Sequence, residues 1–257
     1  MPGKTRIADV TGFAILSHTW LHSLPGEITY DDWHQGDLDA THPGYRKLVN
    51  FCNIAAEKHG LSLAWMDTVC INKSSSSELD ESIRSMYMWY QSANVCLTYL
   101  AETVSLVELS KDPWFTRGWT LQELLAPDVL KFYNRDWKQL TQCENDKEDK
   151  TILQKIQEAT TIWEEELLED YEVPISRKMQ WAADRNVTRE EDTAYSLMGI
   201  FGVSIPIAYG EGRELAFVRL IKEILNISKN DVLDIFNWAG NYDTRTSALL
   251  PSSPKAY

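Results

Sequence analysis

Phe13-Ala-Ile-Leu-Ser-His-Thr-Trp20 is a short apolar run that breaks abruptly into polar residues. An apolar stretch of this length suits a strand buried on both faces, and the change at Ser17-His18 suits a loop leaving the edge of a sheet. The same unit recurs downstream. Leu61 to Ile71 reads as a second buried strand, Val95-Cys-Leu-Thr-Tyr-Leu100 as a third and Val129-Leu-Lys-Phe-Tyr133 as a fourth. Helical stripes separate them. Tyr45, Leu48, Val49, Cys52, Ala55 and Ala56 recur with the helical period and stop at Gly60. Leu79, Ile83, Met86, Tyr90 and Ala93 make a second stripe, with Ser77 as its expected N-cap. Pro113 to Leu125 reads as a third helix, with Pro127 shortly beyond it. Alternating strands and helices predict an α/β fold: a parallel sheet flanked by helices on both faces. Ligands on such sheets gather at the carboxyl ends of the strands, where Ser17-His18, Asp67-Thr68 and the loop before Trp114 would converge.

The 257 residues, 44% of them hydrophobic, suffice for a full core. Lysine and arginine number 25 against 38 aspartates and glutamates, a net charge of -13, so a nucleic acid is not an expected partner. No basic start followed by an apolar core occurs in the first thirty residues, and no stretch approaches the ~20 apolar residues of a membrane span. A soluble, cytoplasmic chain without membrane contact is therefore expected. Cys52, Cys70, Cys96 and Cys143 lack C-x-x-C spacing and are expected as buried free thiols, with no metal site.

After Trp137 the pattern changes. Residues 1–140 read as the α/β core, 141–246 as a mostly helical extension and 247–257, with Pro251 and Pro254, as a linker or tail. The extension carries helical patterns around Ile152–Trp163, Met179–Asp184, Glu190–Phe201 and Arg213–Leu225, with a strand at Ile235-Phe-Asn-Trp238. Arg185 and Arg189-Glu-Glu-Asp192 read as a structural ion-pair network, and Gly210 and Gly212 as a turn. Residues 21–43 have the composition of a long loop with one short helical turn.

Trp119 and Glu123 stand four apart, which places both side chains on one face of a helix. An indole offers a stacking surface, and a neighbouring carboxylate stabilises developing positive charge. Arg117, just upstream, has a guanidinium fork suited to phosphate or to an acid. Lys73, beside a serine run, is expected as an exposed lysine.

Three blocks together resemble the fungal heterokaryon incompatibility (HET) domain: Phe13 to Trp20; Ala64-Trp-Met-Asp-Thr-Val-Cys-Ile-Asn-Lys73 with Tyr90-Gln-Ser-Ala93; and Arg117-Gly-Trp-Thr-Leu-Gln-Glu-Leu124. Thr188 to Asp192, Ala194-Tyr195 and Ile207 to Gly212 resemble the later part of the subgroup that precedes nucleotide-binding and repeat regions in large proteins. The family often has glycine after the Thr-Trp pair, where this chain has Leu21-His22. HET domains are implicated in allorecognition and programmed cell death, and they have been compared with Toll/interleukin-1 receptor (TIR) domains. The resemblance implies a TIR-like, flavodoxin-like order that ends in Trp119-x-x-x-Glu123. In enzymatic TIR domains the corresponding glutamate is required to cleave nicotinamide from NAD+. Glu123 is thereby implied as the catalytic residue, and Ser17, His18, Trp20, Asp67, Arg117 and Trp119 as substrate-binding, with NAD+ a substrate and no resident cofactor. A homo-oligomer is the implied active form. The rival reading is a non-catalytic self-associating signalling module, and a weaker third is a metal-dependent hydrolase using His18, Asp67 and Glu123.

Overall fold

The apolar run at the start folds into a fully buried strand, β1 (Ala14–His18). The computed structural model describes residues 12–21, 25–36, 38–168, 173–227, 232–238 and 250–257. After β1 come α1 (Tyr30–Gln35), α2 (Pro43–His59), β2 (Ala64–Trp65), α3 (Asp67–Cys70), α4 (Ser76–Ser92) and β3 (Val95–Tyr99). Two 3-10 turns, Leu106–Lys111 and Pro113–Thr116, lead to α5 (Thr120–Leu125) and β4 (Leu130–Tyr133). α6 (Lys150–Thr160), α7 (Glu164–Leu168), α8 (Ile175–Ala183), α9 (Asp192–Tyr195), α10 (Met198–Phe201) and α11 (Arg213–Ile227) follow.

The strands form one parallel sheet in the order β2-β1-β3-β4. This is the strand order of a flavodoxin-like α/β fold. β1 pairs with β3 along its length, from Ala14 opposite Val95 to His18 opposite Tyr99, so their carboxyl ends share one edge. Alternation along β1 divides the apolar residues between two cores. Ala14 and Leu16 pack with Leu48, Phe51 and Leu97 under α2. Ile15 joins Cys96, Leu121, Leu124 and Phe132 on the other face, where Ile152, Met179 and Phe217 of the helical extension complete the same core. The extension is thus built onto one face of the sheet.

β4 lies at the sheet edge, and residues 139–146 cover it. Asp146 accepts from the Phe132 backbone N–H at 2.6 Å and from the buried Lys131 ammonium at 2.6 Å. An edge strand satisfied in this way offers no template for pairing with another chain.

Several elements depart from the pattern in the sequence. The second strand is only Ala64–Trp65, because Asp67–Cys70 turns into α3 with Met66 as its N-cap. Val69 and Ile71 are apolar because they are buried, and burial alone does not distinguish a strand from a helix. The helix expected over 113–125 breaks at Arg117, whose backbone is extended, because Gly118 N–H donates to Asn186 O at 2.8 Å and Asn186 N–H to Thr116 O at 2.6 Å. The N-cap of α4 is Ser75 rather than Ser77. Residues 232–236 form a 3-10 helix, not a strand, with Asp234 accepting both the backbone N–H and the hydroxyl of Ser176. Among the cysteines only Cys96 is buried; Cys52 falls beside the buried stripe of Leu48, Phe51 and Ala55, and Cys70 is also exposed. In the stretch expected as a tail, Pro254 is buried and the Tyr257 hydroxyl donates to Ile235 O at 2.6 Å. His22 and Ser247 lie outside the described residues.

Gly199 of α10 sits directly on Tyr87 of α4, and a Cβ at this position would overlap the Tyr87 Cβ, which is too close to the backbone to move aside. Gly199→Ala is expected to cost about 1–3 kcal/mol by overpacking. Urea denaturation checks it: the midpoint falls if the two helices are held this tightly and stays put if they can separate.

Candidate functional site

Glu123 is the centre of the site. It lies on α5, whose first turn is fixed by the Thr120 hydroxyl donating to Trp114 O at 2.5 Å and Arg117 O at 2.9 Å. Arg185, from the end of α8, donates to the same Arg117 O at 2.9 Å and to the Thr120 hydroxyl at 3.1 Å. The Glu123 side chain is 7% exposed. Its Oε2 accepts from the Ser17 hydroxyl at 2.5 Å, and that hydroxyl accepts from the Trp114 indole N–H at 2.7 Å. Burial pushes the Glu123 carboxyl up to about 7, against the Ser17 hydrogen bond and with the charge of Asp67 adding to the rise.

Beside Glu123 opens a cavity of about 420 Å3 at the carboxyl end of β1. His18, Trp20, Asp67, Arg117 and Trp119 line it together with Glu123. Asp67 is the hub of one wall. It meets His18 Nε2 at 3.0 Å, Trp20 Nε1 at 3.1 Å and Lys73 Nζ at 3.1 Å. Burial opposes its ionisation, yet the Lys73 charge and the His18 hydrogen bond hold its carboxyl well below the ordinary range. Lys73 is exposed, as expected, and it also lies 3.8 Å from the centre of the Trp20 ring, so it forms the outer part of this wall. Trp20 remains 39% exposed, with surface left for stacking.

A second buried network fixes the loop after β1. Lys47 Nζ donates to Thr19 O at 2.9 Å and to Glu27 Oε1 at 2.5 Å, while Leu21 N–H donates to the same carboxylate at 2.8 Å. The Glu27 carboxyl falls to about 2: burial works against this, but His18 and Lys47 prevail. Leu21 therefore has a fixed backbone partner, and Gly26, just before Glu27, takes a left-handed conformation (φ 89°).

The far wall comes from the helical extension, through Asn186, Val187, Thr188, Arg189, Asp192 and Tyr209. The Arg189 guanidinium lies 4.0 Å from the Tyr209 ring centre, and the Tyr209 hydroxyl donates to Asp192 at 2.9 Å. Glu191 accepts from Gly210 and Gly212 N–H at 2.8 and 2.9 Å, which fixes the turn between them. The expected ion-pair network at 185–192 is absent among the described residues; these side chains bond to backbone, hydroxyl and ring partners instead.

Six of the seven site residues named from the sequence come together around the cavity. Ser17 does not line it. It is fully buried behind Glu123, where it holds the carboxylate rather than facing a ligand. Trp119 and Glu123 both line the cavity, although Trp119 caps the helix instead of lying within it. Tyr90, Arg189, Asp192 and Tyr209 were missed as site residues. The last three lie in the Thr188–Asp192 and Ile207–Gly212 blocks, the one signal in the sequence that could have found them. No group of three or more His, Cys, Asp or Glu among the described residues is arranged to hold a metal ion.

The raised carboxyl has a consequence for stability. Its folded value of about 7 lies above the 4.5 of an ordinary glutamate, so the favourable protonated state is fully present below 4.5 and is lost as pH rises through 7. Relative to the parent, Glu123→Gln is expected to gain up to about 3 kcal/mol at pH 8 but less than about 1 kcal/mol at pH 5. Thermal unfolding at the two pH values checks this; equal differences at both would show that Glu123 is not desolvated.

Residues 13–107 match the family described as "Heterokaryon incompatibility protein (HET)". The chain is also 40% identical over 228 residues to Vegetative incompatibility protein HET-E-1 of Podospora anserina, an alignment covering 82% of this chain and 16% of that protein. The chain thus spans a small part of the length of this curated relative. No solved structure matches it.

Proposed function

Because the chain belongs to the heterokaryon incompatibility (HET) family, we propose that it is a cytoplasmic cell-death effector of fungal allorecognition whose cavity cleaves the nicotinamide–ribose bond of NAD+. One observation carries this reading: a buried carboxylate, Glu123, faces a cavity of about 420 Å3 that also presents Trp20, Trp119 and cationic side chains. That combination suits a sugar flanked by a flat base and an anionic linker.

The nicotinamide nitrogen in NAD+ already carries positive charge. When its bond to C1′ breaks, the electron pair leaves with nicotinamide as a neutral molecule, so no strong acid is required. The ribose left behind has oxocarbenium character, and a carboxylate in a poorly solvated site stabilises it strongly. Water then adds to C1′ and its proton passes to the Glu123 carboxylate, yielding ADP-ribose. Ser17 and Trp114 hold the carboxylate in place through both steps. Trp20 and Trp119 supply stacking faces.

The active form in this reading is a homo-oligomer, assembled in a longer protein by downstream nucleotide-binding or repeat regions. Nicotinamide release from NAD+ by the assembled, purified protein tests the proposal. Glu123→Gln is expected to lower kcat by about a hundredfold or more. The parent's kcat/KM is expected to rise with pH up to about 7 and then level off, because the carboxylate is the working form. Undiminished turnover in the variant would overturn the assignment of Glu123, and no turnover by the assembled parent would favour a purely scaffolding role.

A further inference from the structure

Three cationic side chains line the cavity: Lys73, Arg117 and Arg189. Lys73 is already compensated by Asp67 at 3.1 Å. Arg117 and Arg189 close no ion pair within 4.0 Å among the described residues. The hydrogen bonds of the cavity acids go to other groups, Asp67 to His18 and Lys73, Asp192 to Tyr209 and Glu123 to Ser17, so the two arginines feel Glu123 and Asp192 only through longer-range attraction. In a chain of net charge -13, a cavity whose lining sets Lys73, Arg117 and Arg189 against Asp67, Glu123 and Asp192 is far less negative than the molecule as a whole.

Their placement is specific. Arg117 stands at the break before α5, with its guanidinium 5.9 Å from the Trp20 ring centre. Arg189 stands on the helical extension, stacked on Tyr209 at 4.0 Å. The two segments are tied together by the backbone bridge between Arg117 and Asn186. At this bridge Gly118 is so close to Val187 that a Cβ would lie 2.5 Å from a Val187 methyl. The spacing between the two walls is therefore set by main-chain contact and not by the arginines themselves.

We propose that Arg117 and Arg189 form a two-sided clamp for a diphosphate, so that the ligand class is a nucleoside diphosphate ester. A guanidinium fork matches paired phosphate oxygens, and two forks from opposite walls suit two linked phosphates better than one. Glu123 is buried and Arg189 is exposed, so the reacting sugar lies inward and the diphosphate toward the mouth. The ring faces of Trp20 and Tyr209 beside the two arginines receive the flanking base. The ligand-binding unit thus extends beyond the family match at 13–107 and needs the helical extension to close it. This inference rests on the nucleotide reading of the cavity.

Calorimetry on the full chain carrying Glu123→Gln, which binds without turnover, tests the clamp with ADP-ribose, ADP and adenosine as probes. Arg117→Met and Arg189→Met are each expected to weaken ADP-ribose and ADP by about tenfold or more. Adenosine binding is expected to stay within about twofold, since it lacks the group that the forks hold. Arg189→Lys keeps the charge without the fork and is expected to fall between parent and Met variant. Equal losses for all three probes, unchanged diphosphate affinity, or no binding of any probe by the Glu123→Gln chain would overturn the clamp. The two readings fail separately. Clamped ADP-ribose without NAD+ turnover by the parent sinks the glycohydrolase alone, whereas turnover with diphosphate affinity indifferent to both arginines sinks the clamp alone.

Discussion

The hydrogen-bond chain from the Trp114 indole through the Ser17 hydroxyl to the Glu123 carboxylate joins the core of this protein to its site. A buried carboxylate without a donor is strongly disfavoured, so Glu123 sits beside the cavity with the help of Ser17, near the end of β1, which donates to it. Ser17 has one proton to give. The indole donates to the hydroxyl oxygen and leaves that proton for Glu123. β1, the 3-10 turn at Trp114 and α5 are therefore held in one register by three atoms, while Leu121 and Leu124 of α5 pack onto the core that Ile15 shares.

Around this chain the site is assembled from separate polar networks. Asp67 fixes His18, Trp20 and Lys73 on one wall, and Glu27 with Lys47 fixes the loop behind them. The opposite wall belongs to the helical extension and is tied to the first by the bridge between Arg117 and Asn186. The protein keeps at Glu123 a group that destabilises it at neutral pH. Under the proposed function this is a position kept for chemistry at a cost to folding.

Much of the architecture could be read from local pattern. The strands at β1, β3 and β4 are apolar runs bounded by polar residues, and the stripes of α2 and α4 follow the helical period, so their burial and their periodicity agree. The reading failed where a distant partner decides the backbone. Asn186, sixty-nine positions from Arg117, pulls 116–118 out of the helix that its composition favours. Val69 and Ile71 looked like strand because they are buried, but β1 offers β2 only Ala14 and Ile15 as partners. Strand parity also bears on Ser17 and His18: adjacent residues point to opposite faces, so both could not serve a ligand in the same way. Ser17 shares the face of Ile15 and meets Glu123. The far wall was hidden because Arg189, Asp192 and Tyr209 read as ordinary charged and aromatic residues until the extension folds over the sheet edge.

A crystal structure of the Glu123→Gln chain with intact NAD+ bound tests the central claim most directly. The account predicts that C1′ of the nicotinamide ribose lies against residue 123, with the diphosphate between Arg117 and Arg189 and a base on Trp20 or Tyr209. Nucleotide bound with its adenine end at residue 123, or seated on another surface with the cavity left to solvent, would contradict it.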